Sequence, residues 1–584
     1  MTPNSRPAQP GRAARRAQQK GPRPRRASGR SSQATGPTSR QLAVLFAAAL
    51  ALRLIHILAS RQSPWFDHPV IDALTYHQAA VSIATGQGHP DRVFWQPPGY
   101  SYFLALLYGI AGSPNLLLPR IVQALFGAAS SVLTAWIGAR HFGARAGLVA
   151  GYVVAFYGML IYFDGELLAA SLTIVLQLGA VALAVRALDT EKPDRLWAAA
   201  GLFAGVASLV TATSLVIAGA IAAAARRRFW AVLAGAAVAI APATLRNVTH
   251  GGEFVPISSN AGINLYIGNN PEYDRTVGIR PDRVWLEFTK EPFAHGVTTQ
   301  SGASQYWTSR VIRWVASDPV AFAALQVKKL HLFLGGDEIY RNQAIYPARR
   351  YSPVLSVLLW KIPGLAFPFG LLAPIGLVGL AVSWKRAPLL ALVTVLYAAS
   401  VLAFFIAARY RVPLVPYLAI FATGGALWLR TASTVRRASA VAALVALLLV
   451  SNLGQGPMAS AMNADAEYNL AEHFHNEGKR GQAEEHYKSA IRERPDFLEA
   501  WVNLGVLEST QGRYDEGSRA LEEAVRIDPR EPTALMSLGA LRERQGRYTE
   551  AAAFYGRAAE VIPNDPDPKQ RIQRLRERGL IAGP

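Results

Sequence analysis

The sequence contains no cysteine. Disulfide bonds, thiolate metal sites and cysteine nucleophiles are therefore excluded. Acidic residues are absent from the first 40 positions, which carry ten Lys and Arg. A phosphate-binding P-loop, a dinucleotide-binding turn and a G-x-S-x-G nucleophile elbow are also missing, and the histidines show no metal-ligand spacing. The sequence thus gives no sign of a P-loop, dinucleotide-binding or serine-hydrolase site.

What the sequence has in abundance is apolar residues. They make up 51% of the 584 residues, and the mean hydropathy is +0.17. Several apolar runs approach 20 residues, the length at which a helix crosses a hydrocarbon core about 30 Å thick. Much of the net charge of +21 comes from the basic N-terminal segment and from Lys and Arg that flank apolar runs. We therefore predict a multi-pass membrane protein of all-α fold, with no nucleic-acid partner.

The N-terminal segment, residues 1–40, is rich in Pro, Gly, Ser, Gln and Arg and lacks aromatic residues. Such a composition cannot bury enough apolar surface to fold. We predict a disordered cytoplasmic tail that its positive charge holds near anionic lipid headgroups.

The predicted membrane domain covers residues 41–455 and contains about eleven spans. If the N-terminus is cytoplasmic, the basic turns between short spans all lie on the cytoplasmic side, in agreement with the positive-inside rule. Two long polar segments, 61–115 and 244–360, then share the outer side with the C-terminus. One miscounted span would move the C-terminal domain across the membrane. The predicted spans cover residues 41–60, 116–137, 146–163, 167–185, 196–225 (a pair), 229–243, 362–382, 389–407, 412–429 and 438–453.

The C-terminal part, residues 464–566, is charged and repeats with a period of 34. Small residues that let paired helices approach, and prolines that end the second helix, return at this spacing: Gly478, Gly512 and Gly546; Ala490, Ala524 and Ala558; Pro495, Pro529 and Pro563. This pattern resembles tetratricopeptide repeats. Three repeats predict an α-solenoid whose concave groove binds a protein partner or acceptor, followed by a capping helix and tail over residues 567–584.

The first polar segment begins with two acids, Asp67 and Asp72. Asp72, Tyr76 and Ile83 recur at helical spacing, which predicts a short helix that starts at Asp72. The helix dipole favours an ionised carboxylate at this end. Asp72 then serves either as a reactive carboxylate or as a plain N-cap, and both roles can hold together. Asp67 is the weaker candidate, because Asp-His-Pro also suits an ordinary turn.

Three motifs of this segment resemble the first external loop of the GT-C superfamily of membrane glycosyltransferases. They are Asp72-x-x-x-Tyr76-x-x-Ala79, Gly86-x-Gly88 and Gln96-Pro97-Pro98-Gly99. The nearest likeness is to protein O-mannosyltransferase-like enzymes and lipid A aminoarabinose transferases. Many of these enzymes carry a second acid where this chain has Ala73, and a Lys where it has Gln96. Further matches lie at 245–247, 262–271 and 409–416, so the resemblance covers about residues 40–455.

The resemblance implies a sugar donor linked to polyprenyl phosphate and an acceptor outside the cytoplasm. Such a transfer needs a carboxylate that accepts the acceptor's proton, and Asp72 is the expected general base. Tyr76, Gln96 and Asp67 are expected to position substrates. We further expect contact with membrane lipids, and a hydrophobic groove for the prenyl tail.

The departing phosphate needs positive charge. Arg409 and Arg411 are the first choice and Arg246 is the second, because the arginine fork suits phosphate geometry. The alternative for the first two is a pair that snorkels to the membrane interface. For Arg53, inside the first span, the alternatives are likewise snorkelling or a position facing the bundle and a phosphate-bearing substrate.

A second acid, Glu166, lies beside Asp164 at the end of the third predicted span. It is expected either to join Asp72 in orienting the acceptor or in binding a divalent cation, or to belong to a solvated turn. No cofactor is certain from the sequence, and a cation such as Mg²⁺ or Mn²⁺ is left open.

These observations predict a glycosyltransferase of a bacterial inner membrane, with its repeats outside the cytoplasm. Two other classes fit part of the sequence. A transporter or flippase of a lipid-linked substrate needs a similar bundle but usually shows pseudo-symmetry between its halves, which this chain lacks. A non-catalytic scaffold that displays the repeats explains the C-terminus, but one span would suffice for it.

Overall fold

The structure is a computed structural model that describes residues 36–278, 283–340, 345–453 and 458–582. The predicted disordered tail lies almost wholly outside the described residues. The described chain is a helical membrane domain followed by an α-solenoid, as the sequence predicts. One departure from the all-α prediction is a two-stranded antiparallel hairpin, formed by β1 (Trp360–Ile362) and β2 (Leu365–Phe367).

The first half of the membrane domain alternates long apolar helices with the short helices of the first polar segment. In chain order the helices are α1 (Ser39–Ser60), α2 (Asp72–Ala84), α3 (Gly99–Ala111), α4 (Leu117–Phe142), α5 (Ala144–Ala155), α6 (Gly158–Gly165), α7 (Ala170–Leu188), α8 (Asp194–Val210), α9 (Leu215–Ala225) and α10 (Phe229–Gly251).

The second half begins with short helices in the second polar segment and returns to long apolar ones. The helices are α11 (Ala261–Gly268), α12 (Tyr273–Val277), α13 (Arg283–Ala294), α14 (Gln300–Ser317), α15 (Pro319–Leu334), α16 (Pro353–Leu358), α17 (Phe369–Ser383), α18 (Pro388–Ala403), α19 (Ala408–Arg411), α20 (Val415–Thr431) and α21 (Thr434–Asn452).

The number of spans differs from the predicted eleven. Within the described residues, seven helices are long and apolar enough to cross a membrane, or eight if the bent pair α5 and α6 is one span. The difference arises because several predicted spans are too short or merge. Helix α8 has 17 residues and α18 has 16, and the count of seven takes α9 and α10 together although the turn Arg226–Arg228 separates them.

Small residues allow the helices of the bundle to pack closely. Gly235 in α10 lies against the backbone of Ala198 in α8, and Gly379 in α17 lies against the backbone of Phe421 in α20. A Cβ at either glycine would overlap the neighbouring carbonyl. Glycine at these two positions therefore allows the paired helices to lie in backbone contact.

Arg53 faces the bundle, but its contacts are structural. Its Nε donates to Asp164 over 2.6 Å, and both side chains are almost completely buried. One terminal nitrogen of Arg53 also donates to the carbonyls of Ala49 and Ala155. Neither snorkelling nor a substrate phosphate explains this residue, because a carboxylate and two carbonyls already surround it.

The C-terminal domain consists of paired antiparallel helices, as the 34-residue period predicts. After each first helix the chain turns through a glycine at positive φ: 73° at Gly478, 81° at Gly512 and 73° at Gly546. The helices are α22 (Met458–Asn476), α23 (Arg480–Glu493), α24 (Leu498–Thr510), α25 (Tyr514–Ile527), α26 (Pro532–Arg544), α27 (Tyr548–Val561) and the capping helix α28 (Asp567–Glu577).

The first repeat rests on the polar segment that follows α1. The ring of Trp65 lies 5.4 Å from that of His473 in α22, and His68 is also close to His473. Arg350, in the second polar segment, lies 3.9 Å from Glu467. The two polar segments and the repeats therefore meet at one end of the helix bundle.

Candidate functional site

A cavity of about 1570 Å³ lies where the helix bundle, both polar segments and the first repeats meet. Apolar side chains dominate its wall on the bundle side, and polar side chains of α22 and of the turn before α24 form part of the opposite wall. Four of the residues singled out in the sequence as site residues line it together: Asp72, Tyr76, Gln96 and Arg409.

Asp72 and Arg409 form an ion pair between α2 and α19. The side chains are 18% and 21% exposed, so the pair is largely shielded yet reaches the cavity. Gln96 donates from Nε2 to the other oxygen of Asp72 over 3.2 Å, and Arg409 also donates to the hydroxyl of Tyr410 over 2.9 Å. A guanidinium and an amide thus hold an ionised carboxylate at the wall of the cavity.

Asp72 is the first residue of α2, as the spacing predicts, but the N-cap position belongs to Ile71. Ile71 has φ of +53° and ψ of −119°, which is unfavourable for a β-branched residue. Such strain costs about 1–3 kcal/mol and persists only where surrounding contacts enforce it. The backbone here is held in the conformation that presents Asp72 to Arg409.

Tyr76 lies one turn after Asp72 on the same helix and lines the same cavity. Its ring is buried and packs edge-on against Tyr100, with centroids 5.0 Å apart. Burial, assisted by the charge of Asp72, raises the pKa of Tyr76 well above its ordinary value. The phenol therefore stays protonated as a hydrogen-bond donor.

Arg411 lies apart from this site. Its side chain is 1% exposed and pairs with Glu338 over 2.9 Å, and it also donates to the carbonyls of Gly335 and Asp337. These contacts tie α19 to the segment after α15. The predicted convergence of Arg409 and Arg411 on one phosphate is therefore not seen, because the two side chains point to different partners.

Arg246 also has a role that differs from the prediction. It donates to the carbonyls of His89, Asp91 and Arg92, and its guanidinium lies 4.3 Å from the centre of the Phe94 ring. Asn247, beside it, accepts from the backbone of Phe94. The Leu-Arg-Asn motif thus anchors the connection between α2 and α3, and it positions Gln96 only indirectly.

Glu166 is not brought to Asp72. It lines a separate cavity of about 30 Å³ together with His56 and Arg120. Burial raises the pKa of Glu166 to about 7, although the charge of Arg120 opposes the shift. Asp67 is exposed and lines neither cavity. Glu166 therefore does not share the cavity of Asp72, and the expected alternative in which it joins that carboxylate is not observed.

A divalent cation does not fit the groups around Asp72. Among the described residues there is no group of three or more His, Asp or Glu that could hold a metal ion. The nearest charged neighbour of the carboxylate is the guanidinium of Arg409, which would repel a cation. The sequence leaves open whether Mg²⁺ or Mn²⁺ is needed, and that question stays open. The described residues form no cluster of ligands that could hold either ion.

Other parts of the cavity wall were not apparent from the sequence. The first repeat contributes Tyr468, Glu472 and His473, and the turn before α24 contributes Asp496. Tyr410 could have been found, since it lies between the two arginines of a motif already singled out. The repeat residues carry no signal of their own, because only the packing of the solenoid on the first polar segment brings them to the cavity.

The tetratricopeptide repeat family model matches residues 468–517 and 502–567, which confirms the predicted repeats. A comparison with curated proteins finds no significant match.

The chain is also similar to solved membrane-protein structures. The Archaeoglobus fulgidus oligosaccharyltransferase in its apo form is 14% identical over 74% of this chain and 58% of its own length, with a TM-score of 0.39. The archaeal oligosaccharyltransferase AglB from Archaeoglobus fulgidus, in complex with an inhibitory peptide and a dolichol-phosphate, is 15% identical. The match covers 74% of this chain and 58% of AglB, with a TM-score of 0.38. ArnT from Cupriavidus metallidurans is 16% identical over 74% of this chain and 80% of its own, with a TM-score of 0.31.

The chain spans only 58% of the length of the archaeal protein.

Proposed function

We propose that this chain is a membrane glycosyltransferase that moves a sugar from a polyprenyl-phosphate donor to an acceptor outside the cytoplasm of a bacterium. The observation that carries the proposal is the ion pair of Asp72 and Arg409 at the wall of a large cavity that the bundle and the repeats share. It brings together the two charges that such a transfer requires.

The two charges have opposite tasks in this proposal. The acceptor hydroxyl attacks the anomeric carbon, its proton passes to the carboxylate of Asp72, and the bond between that carbon and the phosphate oxygen breaks. The electron pair leaves with the phosphate, whose negative charge Arg409 stabilises. A single displacement of this kind inverts the anomeric centre.

The ion pair affects the charge of both the Asp72 carboxylate and the Arg409 guanidinium before the donor binds. In the free protein Arg409 neutralises Asp72. A donor phosphate that draws the guanidinium away removes a positive charge from beside the carboxylate and makes it a stronger proton acceptor. Donor binding would therefore activate the base.

The walls of the cavity suit a lipid-linked donor and a protein acceptor. Apolar side chains of the bundle, among them Leu168 before α7, Leu215 in α9 and Val401 in α18, offer a surface for a prenyl chain. On the other side, α22 of the first repeat reaches the same cavity. A polypeptide held by the repeats would thus enter beside Asp72.

The test is transfer of labelled sugar from polyprenyl-phosphate lipids in vesicles that hold the full chain. Wild type and Asp67→Asn are expected to transfer label, and Asp72→Asn is not, while all three fold alike in detergent. Asp67 is a matched control, since it is an acid of the same segment that lies outside the cavity. Equal transfer by Asp72→Asn and wild type would remove Asp72 from the reaction. Movement of intact donor across the bilayer without transfer would favour the flippase alternative.

A further inference from the structure

Tyr410 shares the one-turn helix α19 with Arg409 and lines the cavity beside it. Its hydroxyl accepts a hydrogen bond from Nη2 of Arg409 over 2.9 Å. The guanidinium carbon of Arg409 lies 4.8 Å from the centre of the Tyr410 ring, a distance at which the face of an aromatic ring attracts a cation. The hydroxyl and the ring of one side chain therefore both hold the guanidinium.

The ring of Tyr410 is itself fixed by the fold. It packs edge-on against the buried ring of Phe405, with centroids 5.6 Å apart. The backbone of α19 is anchored by the next residue, Arg411, whose side chain is 1% exposed and pairs with Glu338. Tyr410 is thus a firm support for Arg409, whose long side chain has many rotamers of its own.

Tyr410 also determines how the arginine meets the carboxylate. An arginine and a carboxylate often pair through two parallel hydrogen bonds from two nitrogens of the guanidinium fork. Here Nη1 of Arg409 donates to Asp72, but Nη2 donates to Tyr410. The third nitrogen, Nε, is buried and has no hydrogen-bond partner. Tyr410 therefore engages the nitrogen that a second bond to Asp72 would use.

The number of bonds in the ion pair matters because a donor phosphate must compete with Asp72 for the same guanidinium. A pair with two parallel bonds is stronger and more fixed in geometry than a pair with one. While Tyr410 holds Nη2, the phosphate has to replace one hydrogen bond from Arg409 to the carboxylate. Without the hydroxyl, Nη2 can turn to the carboxylate and strengthen the pair against the phosphate.

We infer that Tyr410 is a positioning residue, which holds Arg409 so that the guanidinium pairs with Asp72 through one nitrogen and stays available to the donor phosphate. The inference rests on the proposed function and deepens it, because it explains how an arginine that is bound to the general base can also bind the donor. A Tyr410 hydroxyl that bound the phosphate directly would act independently of Asp72, and the two roles can be separated on that ground.

The test is a double-mutant cycle in the affinity of the purified full-length protein for bare polyprenyl phosphate. Tyr410→Phe keeps the ring and removes the hydroxyl. It should weaken binding roughly five- to tenfold, the effect of one hydrogen bond, while the melting temperature in detergent stays close to that of wild type. In the Asp72→Asn background the same change should alter the affinity by less than about twofold, because no carboxylate is left to take the guanidinium.

Tyr306→Phe is the matched control. The hydroxyl of Tyr306 donates to Glu291 over 2.9 Å, and Glu291 forms an ion pair with Arg310, whose guanidinium lies 5.9 Å from the centre of the Tyr306 ring. This tyrosine therefore also contacts both members of an ion pair, but it does not line the cavity. Tyr306→Phe should bind the lipid like wild type.

The inference is overturned if Tyr410→Phe binds the bare lipid like wild type while Arg409→Gln binds it weakly. It is also overturned if Tyr410→Phe weakens binding equally in the wild-type and Asp72→Asn backgrounds, since the hydroxyl would then contact the phosphate itself. If Arg409→Gln binds the lipid like wild type, or if wild type does not bind it, the proposed function fails and the inference fails with it.

Discussion

Arg409 donates a hydrogen bond to Asp72, although 337 positions separate the two residues in the chain. Asp72 is the first residue of α2, in the first polar segment, and Arg409 lies in α19, after α18. The pair therefore joins an early and a late part of the membrane domain at the cavity. Its consequences for donor binding and for transfer can be separated by substitution.

Asp72→Asn should abolish transfer without weakening the binding of bare polyprenyl phosphate. The loss of a positioned base lowers the rate about 10²–10⁴-fold. Arg409 loses its competing anion, so the affinity for the lipid phosphate should stay equal or rise. Lipid titration beside the transfer assay checks both effects. A variant that loses lipid affinity would show that the pair is needed to shape the phosphate site.

Arg409→Gln should weaken the binding of bare polyprenyl phosphate and lower transfer, while the protein stays folded. A charge-assisted hydrogen bond contributes roughly 1.5–3 kcal/mol, which corresponds to a loss of affinity of about 10- to 100-fold. Arg409→Lys should recover part of it as a point charge. Unchanged lipid affinity in Arg409→Gln would contradict a phosphate-binding role.

Arg411→Met should have the opposite profile, with loss of stability as the primary defect. Arg411 and Glu338 are 1% and 3% exposed, and removal of one partner leaves a buried charge that costs about 3–5 kcal/mol. The melting temperature in detergent should fall clearly below that of Arg409→Gln. The double variant Arg411→Met, Glu338→Gln should recover much of the loss. If Arg411→Met were as stable as wild type but bound the lipid poorly, Arg411 would have a role in binding the donor phosphate.

The carboxyl group of Glu166 should make stability depend on pH. Its pKa is about 7 in the folded protein against the ordinary value of 4.5, so in this pH range the folded state holds a proton that the unfolded state releases. Stability then falls as the pH rises from about 4.5 to 7 and is constant above. Glu166→Gln lacks this decline, and it should exceed wild type by roughly 3 kcal/mol at pH 8 but not at pH 4.5.

The contacts of Arg120 mean that Glu166→Gln should not leave this arginine without partners. Arg120 donates to the carbonyls of Gly165 and Phe66 over 2.7 and 2.8 Å, so it keeps partners when the carboxylate is replaced. Melting temperatures of both proteins across this pH range provide the measurement. Parallel curves for the two proteins would mean that Glu166 is ionised in the folded state.

Asn476→Trp should raise the KM for a protein acceptor several-fold and leave donor binding unchanged. Asn476 is exposed at the end of α22 and lines the cavity, so a bulky side chain would narrow the path between the repeats and Asp72 without disturbing the core. Thr549→Trp is the control, because Thr549 is equally exposed in α27 but away from the cavity. If both variants use the acceptor like wild type, the acceptor takes another route.

Several features could be predicted from the sequence because their signals are local. Apolar runs and the 34-residue period predict the membrane domain and the repeats, and helical spacing predicts that α2 starts at Asp72. The predicted count of eleven spans exceeds the seven or eight described helices that are long and apolar enough to cross a membrane, because apolar stretches such as α8 and α18 form helices of only 17 and 16 residues.

In the candidate site, too, some features could be predicted from the sequence and others could not. A motif can nominate Arg409 and Arg411 but cannot assign them, since residues two apart on one helical turn point to different sides. In the structure Arg409 lines the cavity, whereas Arg411 forms an ion pair with Glu338. Glu166 has the right residue type and lies at the correct end of a span, but it lines a different cavity from Asp72.

The sequence by itself determined the helical membrane domain, the repeats and the chemical character of Asp72, because hydropathy, period and residue type are properties of short stretches. Only the tertiary structure decided which arginine meets that carboxylate, and that the first repeat shares its cavity. Those decisions depend on contacts between segments more than 300 residues apart. The free energy of such contacts comes from packing and charge pairing in three dimensions, and no local pattern records it.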